Sequence, residues 1–210
     1  MKKIEKEAKI NKNSKLNKKS GNWIYSNFKI SLEYLKESKN YILFAFLLFL
    51  VSVSFGLAFP SLFEKQVLKV VEELVKETQD LGTLELISFI IFNNMKSAFF
   101  GLIFGAVFGF IPFLITIVNG YVLGFVMNKS IFNEGIFILW RLLPHGIFEI
   151  PAVIISIGLG LELGMFLFSK KLRKKGFLEL VKISLKVFLL IIIPLLVAAG
   201  IIEGLLIALM

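Results

Sequence analysis

The spacing of hydrophobic and polar positions divides the chain into segments of different kinds. Residues 1–22 carry no apolar periodicity, only lysines interleaved with Asn, Ser and a few apolar residues, which predicts a basic, disordered cytoplasmic tail. It lacks an apolar stretch ahead of a small-residue cleavage site and does not read as a signal peptide. From Trp23 the apolar positions Trp23, Ile24, Phe28, Leu32 and Leu35 recur at helical spacing among Lys29, Glu33, Lys36 and Glu37, predicting an interfacial helix over 23–39. The uncharged run 41–60 is long enough to cross a hydrocarbon core of about 30 Å. Over 61–85 the charges return while Val67, Val70, Val71, Leu74 and Val75 keep three- and four-residue spacing, so an amphipathic extracytoplasmic helix is expected. From Leu86 to Lys129 only Asn93, Asn94, Lys96 and Asn119 interrupt the apolar run, leaving room for spans at 86–110 and 112–128 with a turn at Ile111-Pro112. Two more spans are read at 146–169 and 187–210, separated by the basic stretch from Lys170 to Lys182.

The expected fold is therefore an all-α, polytopic membrane bundle of about five transmembrane helices in a single membrane domain, 23–210. A composition that is 57% hydrophobic agrees with a bilayer as solvent. Cysteine is absent, which removes disulfides, thiolate nucleophiles and Cys-ligated metals. The net charge of +9 comes from lysines that flank spans, with little arginine, so anionic lipid at the cytoplasmic face is the expected partner and nucleic acid is not. The basic tail and the Lys170–Lys175 cluster are four spans apart and share a side. Positive-inside reasoning places both in the cytoplasm, and the acidic 61–85 segment and the carboxyl terminus outside.

Close approach of helices in lipid depends on small residues. Ser97, Gly101, Gly105 and Gly109 stand at strict four-residue spacing on one helix face, and Gly120 and Gly124, Gly160 and Gly164, and Gly200 and Gly204 repeat the interval. Such rows serve packing inside a bundle or a seam between copies in a homo-oligomer. Leu102 lies off the Gly row and is expected to meet lipid.

The segment Leu142–Ala152, LLPHGIFEIPA, sets the only histidine, a glutamate and two prolines in an apolar run. Pro144 and Pro151 each remove a backbone donor, and Pro151 would clash with the carbonyl of Ile147, so a broken or kinked helix is expected around PHGIFEIP. With one surviving helical turn, His145 and Glu149 face the same way. Charge at the bilayer centre costs at least about 2.5 kcal/mol, so partners are expected among Arg141, Asn93, Asn94, Asn119, Glu162 and Glu203. This intramembrane polar cluster reads either as a knot pinning the helices or as a ligand, ion or proton site. Gly146-Ile-Phe-Glu149 recurs as Gly200-Ile-Ile-Glu203 and gives both glutamates small-residue clearance.

No catalytic residue and no cofactor are expected. One histidine cannot supply a zincin pair, no Ser-centred elbow is present, and no Gly-rich phosphate loop opens a soluble α/β unit. A carboxylate-rich site of Glu149, Glu203 and His145 uses ligand types that metals accept; no metal is expected there.

The order Phe92-Asn93-Asn94, Gly101 and Gly105, Asn119-Gly120 with Gly124, Leu143-Pro-His145-Gly-Ile-Phe-Glu149-Ile-Pro-Ala152, Gly160 and Ile202-Glu203-Gly204 resembles the stage II sporulation protein M family of polytopic membrane proteins. The resemblance runs from Trp23 to Met210, and PHGxxE is its most specific part. It implies a non-enzymatic role in a membrane complex. The family's namesake acts in engulfment with partner proteins that remodel peptidoglycan, and members also occur in bacteria and archaea that never sporulate. The leading expectation is a scaffold or assembly component that meets other membrane proteins. The alternative is a permease-like or exporter-associated subunit with a polar intramembrane site. A sealed, fully paired cluster favours the first; a wet cavity reaching it favours the second.

Overall fold

The computed structural model describes residues 23–108 and 110–208, with side chains for all of these except 107–108, 139–145 and 208. The expected disordered tail and Gly109 of the glycine row lie outside the described residues. Among the described residues every regular element is helical. Five helices are long and apolar enough to cross a membrane: Lys39–Ala58, Thr83–Ala106, Ile111–Glu134, Gly146–Gly164 and Phe177–Ile207.

Helix α1 (Trp23–Glu37) buries Asn27, Ser31 and Tyr34, while Trp23, Ile24, Phe28 and Leu32 remain exposed. Its apolar stripe thus faces outward, as an interfacial helix requires. Ser38 alone separates it from α2 (Lys39–Ala58), whose 20 residues extend about 30 Å. A 3-10 turn at Pro60–Leu62 leads into α3 (Glu64–Thr78), shorter than the helix expected over 61–85. The Tyr121 hydroxyl ties this corner: it donates to the Phe59 carbonyl at 2.9 Å, lies 3.1 Å from that of Pro60, and accepts from Phe63 N at 3.2 Å. Val67 packs on Tyr121 and Phe125, and Glu64 pairs with Lys129 at 2.6 Å.

Helices α4 (Thr83–Phe108) and α5 (Ile111–Glu134) follow, with Pro112 in the first turn of α5, where a missing N–H costs nothing. Gly135, at φ 83°, closes α5 in a conformation that favours glycine. Helix α6 (Leu139–Gly164) then runs as one element through both prolines, so of the broken or kinked helix expected around PHGIFEIP the break does not occur. The Ile147 carbonyl loses the donor that Pro151 lacks, yet the flanking turns keep their ladder, as membrane helices allow. Backbone irregularity falls instead in the last span. After the short α7 (Lys170–Arg173), α8 (Phe177–Val187) passes through a π-helical turn at Phe188–Ile192 into α9 (Ile193–Ala208), just ahead of Pro194. That apolar helix starts at Phe177, ten residues before the expected 187.

Helix α6 is the central one, packed on α2, α4, α5 and α9. Contacts between small residues set its neighbours. A Cβ on Gly105 would overlap the Gly160 backbone and one on Gly160 would overlap the Gly101 carbonyl, while Ser156 Oγ donates to the Ala98 carbonyl at 2.6 Å. Gly120 lies against Ser52 and Phe49, and Gly124 against Val53 and Leu57, locking α5 to α2. Gly200 and Gly204 meet Ile91 and Ile87, placing α9 antiparallel to α4. Gly101, Gly105, Gly120, Gly124, Gly160, Gly200 and Gly204 therefore meet other helices within the bundle. Leu102, expected to face lipid, is 1% exposed inside the main core with Ala98, Leu159 and Leu196.

Candidate polar site at mid-depth in the bundle

The face of α4 that closes on α6 at Gly101 and Gly105 continues one and two turns earlier as Ser97 and Asn93, with Asn94 beside them. Helical spacing puts these on one side. There, among the described residues, a Cβ on Gly146 of α6 would meet only the Ile150 side chain of its own helix, at 3.4 Å, whereas Gly160 is enclosed by backbone. The space so opened is a cavity of about 440 Å³. Asn93, Asn94 and Ser97 of α4, Asn119 of α5, Glu149 of α6 and Glu203 of α9 line it, with Phe49, Val122, Ile150 and Val153 among its apolar walls.

Four helices thus converge their polar residues on one space. Phe49 is the eleventh of the 20 residues of α2, and Asn93 and Asn94 are the eleventh and twelfth of the 24-residue span in α4, so the cavity sits near mid-depth. Glu149, Glu203, Asn94, Ser97 and Asn119 are partly buried, and Asn93 is exposed. Among the described lining residues, both ionisable groups are carboxylates, and the amides supply donors and acceptors around them. A carboxylate at this depth is unfavourable unless it meets a donor, a proton or a cation. The arrangement is suited to holding a cationic or donor-rich group.

Of the residues expected to form the intramembrane cluster, Asn93, Asn94, Asn119, Glu149 and Glu203 are brought together. The side chains of Arg141 and His145 lie outside the described residues. Glu162 does not join: it lies 13 residues beyond Glu149 on the same helix, about 20 Å along its axis, and lines a different cavity. Ser97, expected only as a packing residue, lines the polar cavity as well. Its place one turn from Asn93 and Asn94 was the available signal.

Lys96 is a further polar residue of this region. It is exposed, its ammonium stands 6.0 Å from the Phe100 ring centroid, and it forms no ion pair among the described residues. As the fourteenth residue of the 24-residue span, it is about 15 Å or more from either end.

Residues 45–206 match the stage II sporulation protein M family, and the chain belongs to it. Two relatives come from Methanocaldococcus jannaschii. The uncharacterized protein MJ0706 is 36% identical over 137 residues, 63% of this chain and 60% of that protein. The uncharacterized protein MJ0793 is 36% identical over 113 residues, 50% of this chain and 64% of that protein. The chain thus spans less than two thirds of the length of either relative. No solved structure matches it.

Proposed function

We propose that this member of the stage II sporulation protein M family is a non-catalytic, multi-pass subunit of a membrane complex, and that another membrane polypeptide covers its mid-depth polar groove. The observation that carries this reading is Lys96. Its charge is exposed midway along an apolar span and forms no ion pair among the described residues. A lysine facing hydrocarbon there costs at least about 2.5 kcal/mol, and intramembrane charges almost always face protein or pair. Exposed Asn93 beside it adds donors and acceptors that a partner helix can satisfy. The partner supplies a carboxylate or a cluster of acceptors opposite Lys96. Because the described glycine rows are occupied inside the bundle, they are not the contact surface. The Lys170–Lys175 cluster supports an orientation with α7 at the cytoplasmic face, against anionic lipid, and acidic α3 outside.

A photo-crosslinking residue in place of exposed Phe92, in native membranes, tests this. It is expected to capture a membrane polypeptide, either another protein or a second copy. Lys96→Leu should abolish that capture and leave the isolated protein's stability in detergent unchanged or raised. Crosslinks to lipid alone, or capture indifferent to Lys96→Leu, would refute the assignment.

A permease-like reading is favoured by a separate observation, the cavity volume with two carboxylates in its wall. On this reading the cavity takes a small amine-bearing solute. Methylammonium at a hundred-fold excess over its Kd should stabilise the purified protein by about 2.7 kcal/mol, and Glu149→Gln should remove the effect. A wild-type protein with no methylammonium response at any concentration speaks against it.

A further inference from the structure

Glu162 belongs to a second polar site, separated from the first by an apolar layer in which Ala45 and Phe49 of α2 pack on Ile154, Ile157 and Leu161 of α6. Beyond that layer lies a cavity of about 570 Å³, lined by Glu162 together with Glu37, Asn40, Tyr41 and Lys171. Glu162 is only 2% exposed, and its Oε2 completes no hydrogen bond among the described residues. The same holds for Oγ of Ser38, fully buried at the joint between α1 and α2. The hydroxyls of Ser38 and Tyr34 stand within hydrogen-bonding reach of the carboxyl, whose Oε2 they leave unsatisfied. Burial, reinforced by the Glu162 charge, pushes the Tyr34 phenol well above its usual range, so its oxygen stays neutral. It lies 3.4 Å from Ser184 Oγ.

The nearby cation is engaged elsewhere. Lys175 Nζ bonds Glu37 Oε2 at 2.6 Å and lies 5.7 Å from the centre of the Tyr34 ring. No ion pair to Glu162 forms among the described residues. A carboxylate so enclosed is strongly unfavourable unless a positive charge joins it. Native structures rarely leave such atoms unpaired without a function or a bound species.

We propose that Glu162, with the hydroxyls of Ser38 and Tyr34, binds a dehydrated monovalent metal cation, Na⁺ or K⁺, admitted through this cavity. The donor set is all oxygen, which selects hard cations. One carboxylate balances one positive charge. A divalent ion would leave an excess charge in apolar surroundings with Lys171 at the cavity wall, so the monovalent class fits. Occupancy would bridge α1, the α1–α2 joint and α6, giving the fold a dependence on ion type that a surface charge cannot.

The test uses the full chain in detergent, with NaCl and KCl each compared against choline chloride at equal ionic strength, so that screening is matched and only the small cation differs. A saturable rise in Tm is expected with one of the two salts, roughly 5 to 11 °C at a hundred-fold excess over Kd. Glu162→Gln should abolish the rise. Ser38→Ala, which keeps the carboxylate if Glu162→Gln fails to fold, should raise the midpoint concentration several-fold. Glu72→Gln on exposed α3 should respond as wild type does. Identical melting in all three salts would overturn the proposal and leave a proton or a water as the occupant. So would a full response in Ser38→Ala and Glu162→Gln, or its loss in Glu72→Gln.

Discussion

Gly105→Ala and Gly146→Ala add the same methyl group to the same pair of helices and should have opposite effects. At Gly105 the new Cβ would overlap the carbonyl, C and Cα of Gly160. All three are backbone atoms of the central helix, so no side chain can rotate away and α4 must move off α6. Overpacking of this kind costs about 1–3 kcal/mol. The displacement also stretches the 2.6 Å Ser156-to-Ala98 hydrogen bond two turns away, worth about 0.6 kcal/mol in a membrane protein. At Gly146 the new Cβ meets, among the described residues, only the Ile150 Cδ1, at 3.4 Å, the end of a flexible side chain. There the gain in helix propensity, about 0.5–1 kcal/mol, should dominate. The expected gap between the variants is about 2–4 kcal/mol, read by reversible unfolding in mixed micelles of mild detergent and SDS. Equal stabilities, or a more stable Gly105→Ala, would show that α4 and α6 do not approach as closely as these glycines require.

Three other outcomes follow from the same structure. Leu102→Ala should destabilise the bundle by about 2–5 kcal/mol, since a buried leucine leaves a cavity; a neutral result in the same unfolding assay would return Leu102 to the lipid face. Tyr121→Phe should cost about 1–3 kcal/mol and increase proteolysis within 59–67, because the Phe63 N–H and the Phe59 carbonyl lose their shared partner; unchanged protection would show that Val67 packing alone holds α3. For orientation, a Thr78→Cys variant should react with an impermeant maleimide in intact cells and a Lys174→Cys variant only after permeabilisation. The reverse pattern would invert the topology.

The parts of this molecule that were legible in the sequence are those where the bilayer penalises the alternative. Asn93, Asn94, Asn119, Glu149 and Glu203 interrupt apolar runs, and polar groups at such depth must find one another, so their convergence was readable without knowing which helices touch. The glycine intervals announced close packing in the same way, but a row of small residues looks identical whether its partner is α6 or a second copy. Leu102 lies on the side of α4 that meets α6 and α9, packed with Leu159 and Leu196, and which side of an apolar helix meets its neighbours is not encoded locally. That α6 continues through Pro144 and Pro151 instead of breaking is not legible locally, because a proline's clash is read within an isolated helix, whereas in a membrane bundle neighbouring helices and local adjustment accommodate the lost bonds.

The Glu162 site was obscured for a different reason. Helix α1 was read through its apolar stripe, which the fold turns outward, while the face that packs inward is Asn27, Ser31 and Tyr34. In a soluble protein that pattern would be inverted. Beside a bilayer, apolar residues gain nothing by turning from lipid to protein, so small and hydroxyl-bearing residues are free to occupy the helix interface. The same logic explains why hydroxyls, and not an ion pair with a lysine, stand against Glu162 among the described residues. Lys171 and Lys175 belong to a segment held outside the hydrocarbon, and only a helix lying against the bundle can present Tyr34 and Ser38 to a carboxyl in the last turn of α6. The two carboxylates Glu149 and Glu162 thus share one continuous helix, with Ile154 and Ile157 between them packed against α2. An occupant at one can influence the other only by shifting α6 as a body, and the Gly101, Gly105 and Gly160 contact is where such a shift would meet resistance.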